Sequence, residues 1–303
     1  MSQLRTYVCF CVYFLLEPFP VSRKTLSAYI QCLANSFRAP SSIINYVQGL
    51  KAVHMLLDYP FPDTSSYLFR LQFRGIARQL KHQPHQAATI TPRMLLQCRK
   101  LLNLQNSFQA CLWAAFLVSF YTFARLSNIV PRVLKKFNPR IHLTRDDVTV
   151  AKDTLLIRFK WSKTNQDSSR TLILPLVRIP YHPLCPVAAY VSMTKQAPVA
   201  HDCPAFCYKV NKGACTKVLT HKQLVVALRL LLAASGYNPA KFSGHSFRRS
   251  GASWAFSSGV RTVQIKSHGD WRSLAYLQYI NISKRQKRMV SIQMSKSIVN
   301  SGL

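Results

Sequence analysis

Positive charge dominates this chain: 41 lysines and arginines stand against nine acids, a formal net charge of +32 over 303 residues. Repulsion on that scale calls for a polyanionic partner, and nucleic acid is the first to expect. The basic residues are interleaved with apolar ones along the whole length, and 49% apolar content can fill two cores, so a two-domain fold with a cationic surface is expected rather than a basic tail. The shortage of acids also restricts chemistry. Glu17 is the only glutamate, and of the eight aspartates only Asp146 and Asp147 are adjacent. Nucleases and transposases that hold Mg²⁺ need several carboxylates, which this composition does not favour. No glycine-rich phosphate loop ending in Lys-Ser or Lys-Thr and no His-Glu-x-x-His is present, so no cofactor, ATP or catalytic metal is expected.

Nine cysteines, an odd number, fit reduced thiols in a cytosolic or nuclear protein better than a disulfide framework. His201, Cys203, Cys207 and Cys215 match no standard zinc-finger spacing and read as plain thiols in a loop region. The apolar run Tyr7 to Leu16 is too short to span a bilayer and no small-residue cleavage site follows it. It reads as a buried helix, and no membrane partner is expected.

From Thr6 to about Arg78 the pattern is helical, with starts at Ser22 and at Pro40-Ser41-Ser42. Residues 81 to 88 lack apolar periodicity and contain Pro84, as a linker does. Thr91-Pro92 then opens a helix in the favoured cap and first-turn positions. Ala110 to Tyr121 is a nearly continuous apolar helix that delivers Arg125 just beyond it. The segments 147–151, 154–161 and 170–176 read as short strands, and in the second Leu155, Ile157, Phe159 and Trp161 share one face. Lys163 lies in the turn that follows. Thr220 to Gln223 forms a capping box before the apolar helix 224–234, and Ser243-Gly244-His245 opens the next helix, ending near Gly259.

Arg125, Lys163, His245 and Arg248 in His-Ser-Phe-Arg, Trp271 in His-Gly-Asp-Trp, and Tyr279 in Leu-Gln-Tyr-Ile follow one another in that order. This set resembles the active site of the tyrosine recombinases, closely over residues 90–285 and loosely over 6–78. The resemblance implies a mainly α fold with a small antiparallel β-sheet: a helical core-binding domain (1–80), a linker (81–90), a catalytic tyrosine-recombinase domain (91–285) and a C-terminal tail (286–303). It implies double-stranded DNA as partner and a homo-oligomer, usually a tetramer, on that DNA. By family role, Arg125, His245 and Arg248 hold the scissile phosphate, Trp271 donates to it, Lys163 protonates the leaving hydroxyl, and Tyr279 attacks. Arginine suits phosphate because its planar fork makes two parallel hydrogen bonds. A free phenol ionises only near pH ~10, so such a nucleophile needs a cationic pocket.

Tyr276, three residues earlier, remains a rival nucleophile. The family often carries an acid three residues after the first arginine, where this chain has Asn128, which hydrogen-bonds but forms no ion pair. The competing reading is therefore a domesticated, inactive DNA-binding derivative; a type IB topoisomerase is a third. The Gly-x-Trp texture of His-Gly-Asp-Trp is similar to the Crypton and DIRS-group recombinases of eukaryotic mobile elements, which implies the nucleus. Residues 284–288 read equally as a nuclear-localisation signal or the basic end of a helix, and 282–299 as an amphipathic docking segment or a tail.

Overall fold

The computed structural model describes residues 2–82, 86–162, 171–210 and 215–280, together with Arg288, Ile292 and Ser295. The chain divides into two compact units, Met1–His85 and Gln86–Leu303. The expected roles of 284–288 and 282–299 lie outside the described residues, apart from those three isolated positions.

In the first unit α1 (Ser2–Tyr13), α2 (Arg23–Ser36), α3 (Pro40–Leu56) and α4 (Tyr67–Leu80) follow one another. Ser22 caps α2 by accepting from the Thr25 amide, and Pro40 occupies the first turn of α3. Tyr7, Leu26, Tyr29, Ile43, Leu50 and Phe69 are completely buried, each contributing roughly 1.5–3 kcal/mol through burial. His54 is a satisfied core histidine: Nε2 accepts from the Val21 amide at 3.0 Å and Nδ1 donates to Leu50 O at 3.0 Å. The expectation of a buried opening helix needs correction. Tyr7, Phe10 and Cys11 face inward, but the helix stops at Tyr13, and Val12, Tyr13 and Leu15 are largely exposed, because an apolar run longer than one helical face has nowhere to bury its remainder. No helix among the described residues is long and apolar enough to cross a membrane.

The second unit is built around α6 (Ser107–Thr122), which is buried on every side and whose start is capped by Asn106 accepting from the Gln109 amide. Thr91 caps the preceding helix α5 (Pro92–Lys100). After α6 come the short α7 (Leu126–Ile129) and an antiparallel sheet, β1 (Val148–Ala151), β2 (Thr154–Phe159) and β3 (Leu172–Val177), in that spatial order. Ile157 pairs with Val148 on one side and Leu174 on the other. Leu155, Ile157 and Phe159 are buried and Arg158 faces out, as the alternation predicts. Buried Asp147 accepts from Thr144 N and Oγ1 and pairs with Arg158 Nε at 3.1 Å and Lys160 Nζ at 2.6 Å. Burial alone would favour the neutral carboxyl, but Lys160 and Thr144 outweigh it and hold its pKa below the usual range.

The remaining helices are α8 (Pro186–Gln196), α9 (His221–Ala234), α10 (His245–Ser257) and α11 (Thr262–His268). The capping box at Thr220 and Gln223 is present, and Gly236 follows α9 in the left-handed region. Ala88 N donates to Lys241 O and Ile90 N to Ser250 Oγ, so the chain is bonded into the second unit before α5 begins. Cys207 and Cys215, expected in a loop, lie instead on an antiparallel pair, β4 (Cys207–Val210) and β5 (Cys215–Val218). Strands of four residues with mixed polarity are too short to show a period.

Candidate active site

Three segments, remote in sequence, supply the described site residues. Helix α6 ends at Phe123, whose φ of 53° turns the chain, and Arg125 follows as the residue capping α7. Helix α10 carries His245 in its first turn and Arg248 one turn later. Beyond α11, residues 269–271 lead to a short 3₁₀ segment, Leu274–Tyr279.

Two glycines permit this convergence. A methyl group at Gly251 would sit 2.1 Å from Phe120 O and 2.3 Å from Phe123 Cδ1, so only glycine lets α10 lie this close to the end of α6. A methyl group at Gly269 would sit 1.7 Å from the Trp271 ring, which folds back over that backbone. His268 Nε2 donates to Tyr121 O at 2.8 Å and its ring lies 4.6 Å from that of Phe123, fastening the end of α11 to the end of α6.

Arg248 is the centre of the arrangement. It is 2% exposed, donates Nη1 to Phe123 O and Nη2 to Gly269 O, and leaves a buried Nε without a hydrogen-bond partner among the described residues. Its guanidinium carbon stands 3.9 Å from the Trp271 ring centroid and 5.7 Å from that of Tyr279. Burial first, then the Arg125 charge, push its pKa down to about 10, with Tyr279 and Asp270 acting in the opposite sense. The side chain remains a cation at neutral pH, held in a site that favours an arriving anion. His245 is pushed below the ordinary imidazole value by loss of solvent, then by Arg125 and Arg248.

Tyr279 and Tyr276 separate here in a way their spacing did not reveal. Tyr276 is 6% exposed, in a cluster with Phe123, Ala252, Ile265 and Trp271. Tyr279 is half-buried, its ring 5.5 Å from that of Trp271, and its carbonyl accepts from Ser253 Oγ at 2.6 Å. Of the two, Tyr279 is the less buried residue. Lys163 lies outside the described residues.

Asn128 is buried and donates Nδ2 to Trp161 O at 3.1 Å, tying α7 to the end of the β2 segment. A cleft is lined by Arg125, Asn128, Ser162, Arg248, His268 and Asp270, among others, while His245, Trp271 and Tyr279 do not line it. Ser162, His268 and Asp270 were not singled out from the sequence. Their only signal was position: His268 and Asp270 flank the glycine before Trp271, and Ser162 precedes Lys163. Among the described residues no group of three or more His, Cys, Asp or Glu is placed to hold a metal ion.

The sequence matches no protein-family model, and it matches no curated protein. Solved structures do resemble it. A post-cleavage complex of the XerH site-specific recombinase with palindromic difH substrate aligns over 89% of this chain and 69% of its own, with a TM-score of 0.56 at 11% identity. The Tn1549 transposon integrase in complex with circular intermediate DNA aligns over 90% and 85%, with a TM-score of 0.54 at 14% identity. A lambda integrase dimer bound to a COC′ core site aligns over 88% and 82%, with a TM-score of 0.52 at 12% identity. At these identities the likeness is one of fold. The chain is mostly helical with a small antiparallel sheet and has the fold of the tyrosine recombinases.

Proposed function

We propose that this protein breaks and rejoins double-stranded DNA as a tyrosine recombinase, with Tyr279 as nucleophile and no metal. One observation carries the reading: buried Arg248 holds its guanidinium against the rings of Trp271 and Tyr279, shares α10 with His245 one turn before it, and lines one cleft with Arg125. Arg125, Arg248 and His245 would donate to the non-bridging oxygens of a scissile phosphate, where preorganised donors are typically worth about 10²–10³ in rate each. The Tyr279 oxygen attacks phosphorus and the bond to the 5′-oxygen breaks. The phenolic proton passes to water, and Lys163 gives a proton to the departing oxygen. One phosphodiester is exchanged for a 3′-phosphotyrosyl ester, so a 5′-hydroxyl of another strand reverses the step without ATP.

The DNA-bound state named for the three similar structures, and the +32 net charge, support duplex DNA as the partner. Site-specific recombination or integration of a mobile element in the nucleus is the setting that the His-Gly-Asp-Trp resemblance favours, and a tetramer on DNA is the assembly that the family resemblance implies. A second reading, a DNA-binding derivative without cleavage, is favoured by the engagement of both terminal nitrogens of Arg248 with backbone carbonyls. Denaturing lysis of cells expressing tagged protein separates the two. The recombinase reading predicts DNA retained covalently on wild type and Tyr276→Phe but absent from Tyr279→Phe; no retained DNA on a chromatin-bound wild type selects the derivative.

A further inference from the structure

A site for phosphate chemistry with Asn128 at the family's usual acid position still contains a carboxylate among its described residues. Asp270 lines the cleft with Arg125 and Arg248, and its Oδ2 accepts from Ser162 Oγ at 2.6 Å. The two residues are 108 positions apart, so this hydrogen bond joins elements that local structure does not hold together. Ser162 is buried at the end of the β2 segment, immediately before Lys163. Asp270 immediately precedes Trp271, in the segment whose Gly269 carbonyl accepts from Arg248. Its backbone has a φ of 54°, a conformation that aspartate, asparagine and glycine tolerate better than other residues. Its negative charge also acts on Arg248, opposing Arg125.

We propose that Asp270 is the positioning carboxylate of this site: through Ser162 it fixes the end of the β2 segment to the segment that carries Trp271 and Tyr279, beside Arg248. The inference rests on the recombinase reading for its consequence but not for the clamp itself. Asn128 and Asp270 then hold the same strand end from two sides, Asn128 through Trp161 O and Asp270 through Ser162 Oγ. With Asn128 neutral, Asp270 is the acid among the described residues that line the cleft.

Three variants test it. Asp270→Asn keeps the left-handed backbone and an acceptor for Ser162 but removes the charge; Asp270→Gly keeps only the backbone; Ser162→Ala removes the donor. The readouts are the yield of DNA adduct on the Tyr279 peptide, chromatin retention and the melting temperature. A misplacement of about 1 Å costs roughly 10²-fold in rate, so Asp270→Gly is expected to lower adduct yield on that order with retention unchanged. Asp270→Asn is expected to recover part of the loss, a rescue that a bare folding defect would not give. Because the two groups act as one pair, Ser162→Ala combined with Asp270→Gly is expected to be no worse than Asp270→Gly alone. An Asp270→Gly yield within threefold of wild type, or losses that multiply, overturns the proposal. If wild type itself forms no adduct, the recombinase reading fails separately, and amide hydrogen exchange judges the clamp. Exchange at Phe159 to Trp161 should rise equally in Ser162→Ala and Asp270→Gly; unchanged exchange refutes it.

Discussion

Replacing Gly251 by alanine is the most local test of how the site is assembled. The added methyl would stand 2.1 Å from Phe120 O and 2.3 Å from Phe123 Cδ1. One of these atoms is backbone, so contact at an ordinary 3.4 Å or more requires α10 to move away by about 1 Å. Overpacking of this kind typically costs about 1–3 kcal/mol. Divided by a urea m-value of ~3 kcal/mol/M, that is a drop of about 0.3–1 M in the midpoint. All four tryptophans, Trp113, Trp161, Trp254 and Trp271, belong to the second unit, so fluorescence follows that unit alone. Gly75, inside α4 of the first unit with nothing within 4 Å of an added methyl, is the control. Gly75→Ala should add about 0.5–1 kcal/mol of helix stability, seen by circular dichroism, and leave the fluorescence transition where it was. Arg248 lies one turn from Gly251 and bonds to Phe123 O, so Gly251→Ala should also reduce adduct yield by roughly 10²-fold. A Gly251→Ala protein with the wild-type midpoint would falsify the close approach of α6 and α10.

Three further outcomes are expected. Asn128→Glu places an acceptor against Trp161 O where the amide now donates, and should lower stability by about 1–3 kcal/mol without raising adduct yield; a gain in yield would contradict the tie. His142, His221, His245 and His268 are all held below the ordinary imidazole value, burial being the first cause in each. The unfolded chain therefore takes up protons more readily, so stability should be full above pH ~6.5 and fall as the pH drops through the native values, read as the urea midpoint at pH 7.5 against 5.5. Duplex binding should weaken by about 10³–10⁵ between 50 and 200 mM salt if six to ten phosphates are neutralised; a flat salt dependence in fluorescence anisotropy would remove the electrostatic argument.

Much of this fold is written locally. The caps at Ser22, Thr91 and Thr220 satisfy backbone amides within three residues, and the alternation in β2 needs only a buried and an exposed face, so both are legible without tertiary information. The β4–β5 pair was not, because four-residue strands carry too few side chains to show a period. The site is a similar mixture. Arg125, His245, Arg248, Trp271 and Tyr279 are recognisable by type and order, but not the carbonyls that occupy Arg248 or the burial that distinguishes Tyr276 from Tyr279. Those depend on contacts such as Arg248 to Phe123 and Ser162 to Asp270, which span more than 100 residues and leave no pattern in any window of sequence.

Everything proposed for this site turns on a covalent bond between Tyr279 and DNA. Peptide mapping of nuclease-trimmed protein from denatured cells locates the residue that carries a nucleotide. The prediction is a nucleotide on the peptide containing Tyr279, with fragmentation placing it on that side chain and its loss in Tyr279→Phe. A nucleotide on Tyr276 would contradict the choice of nucleophile, and an unmodified peptide from chromatin-bound protein would contradict cleavage itself.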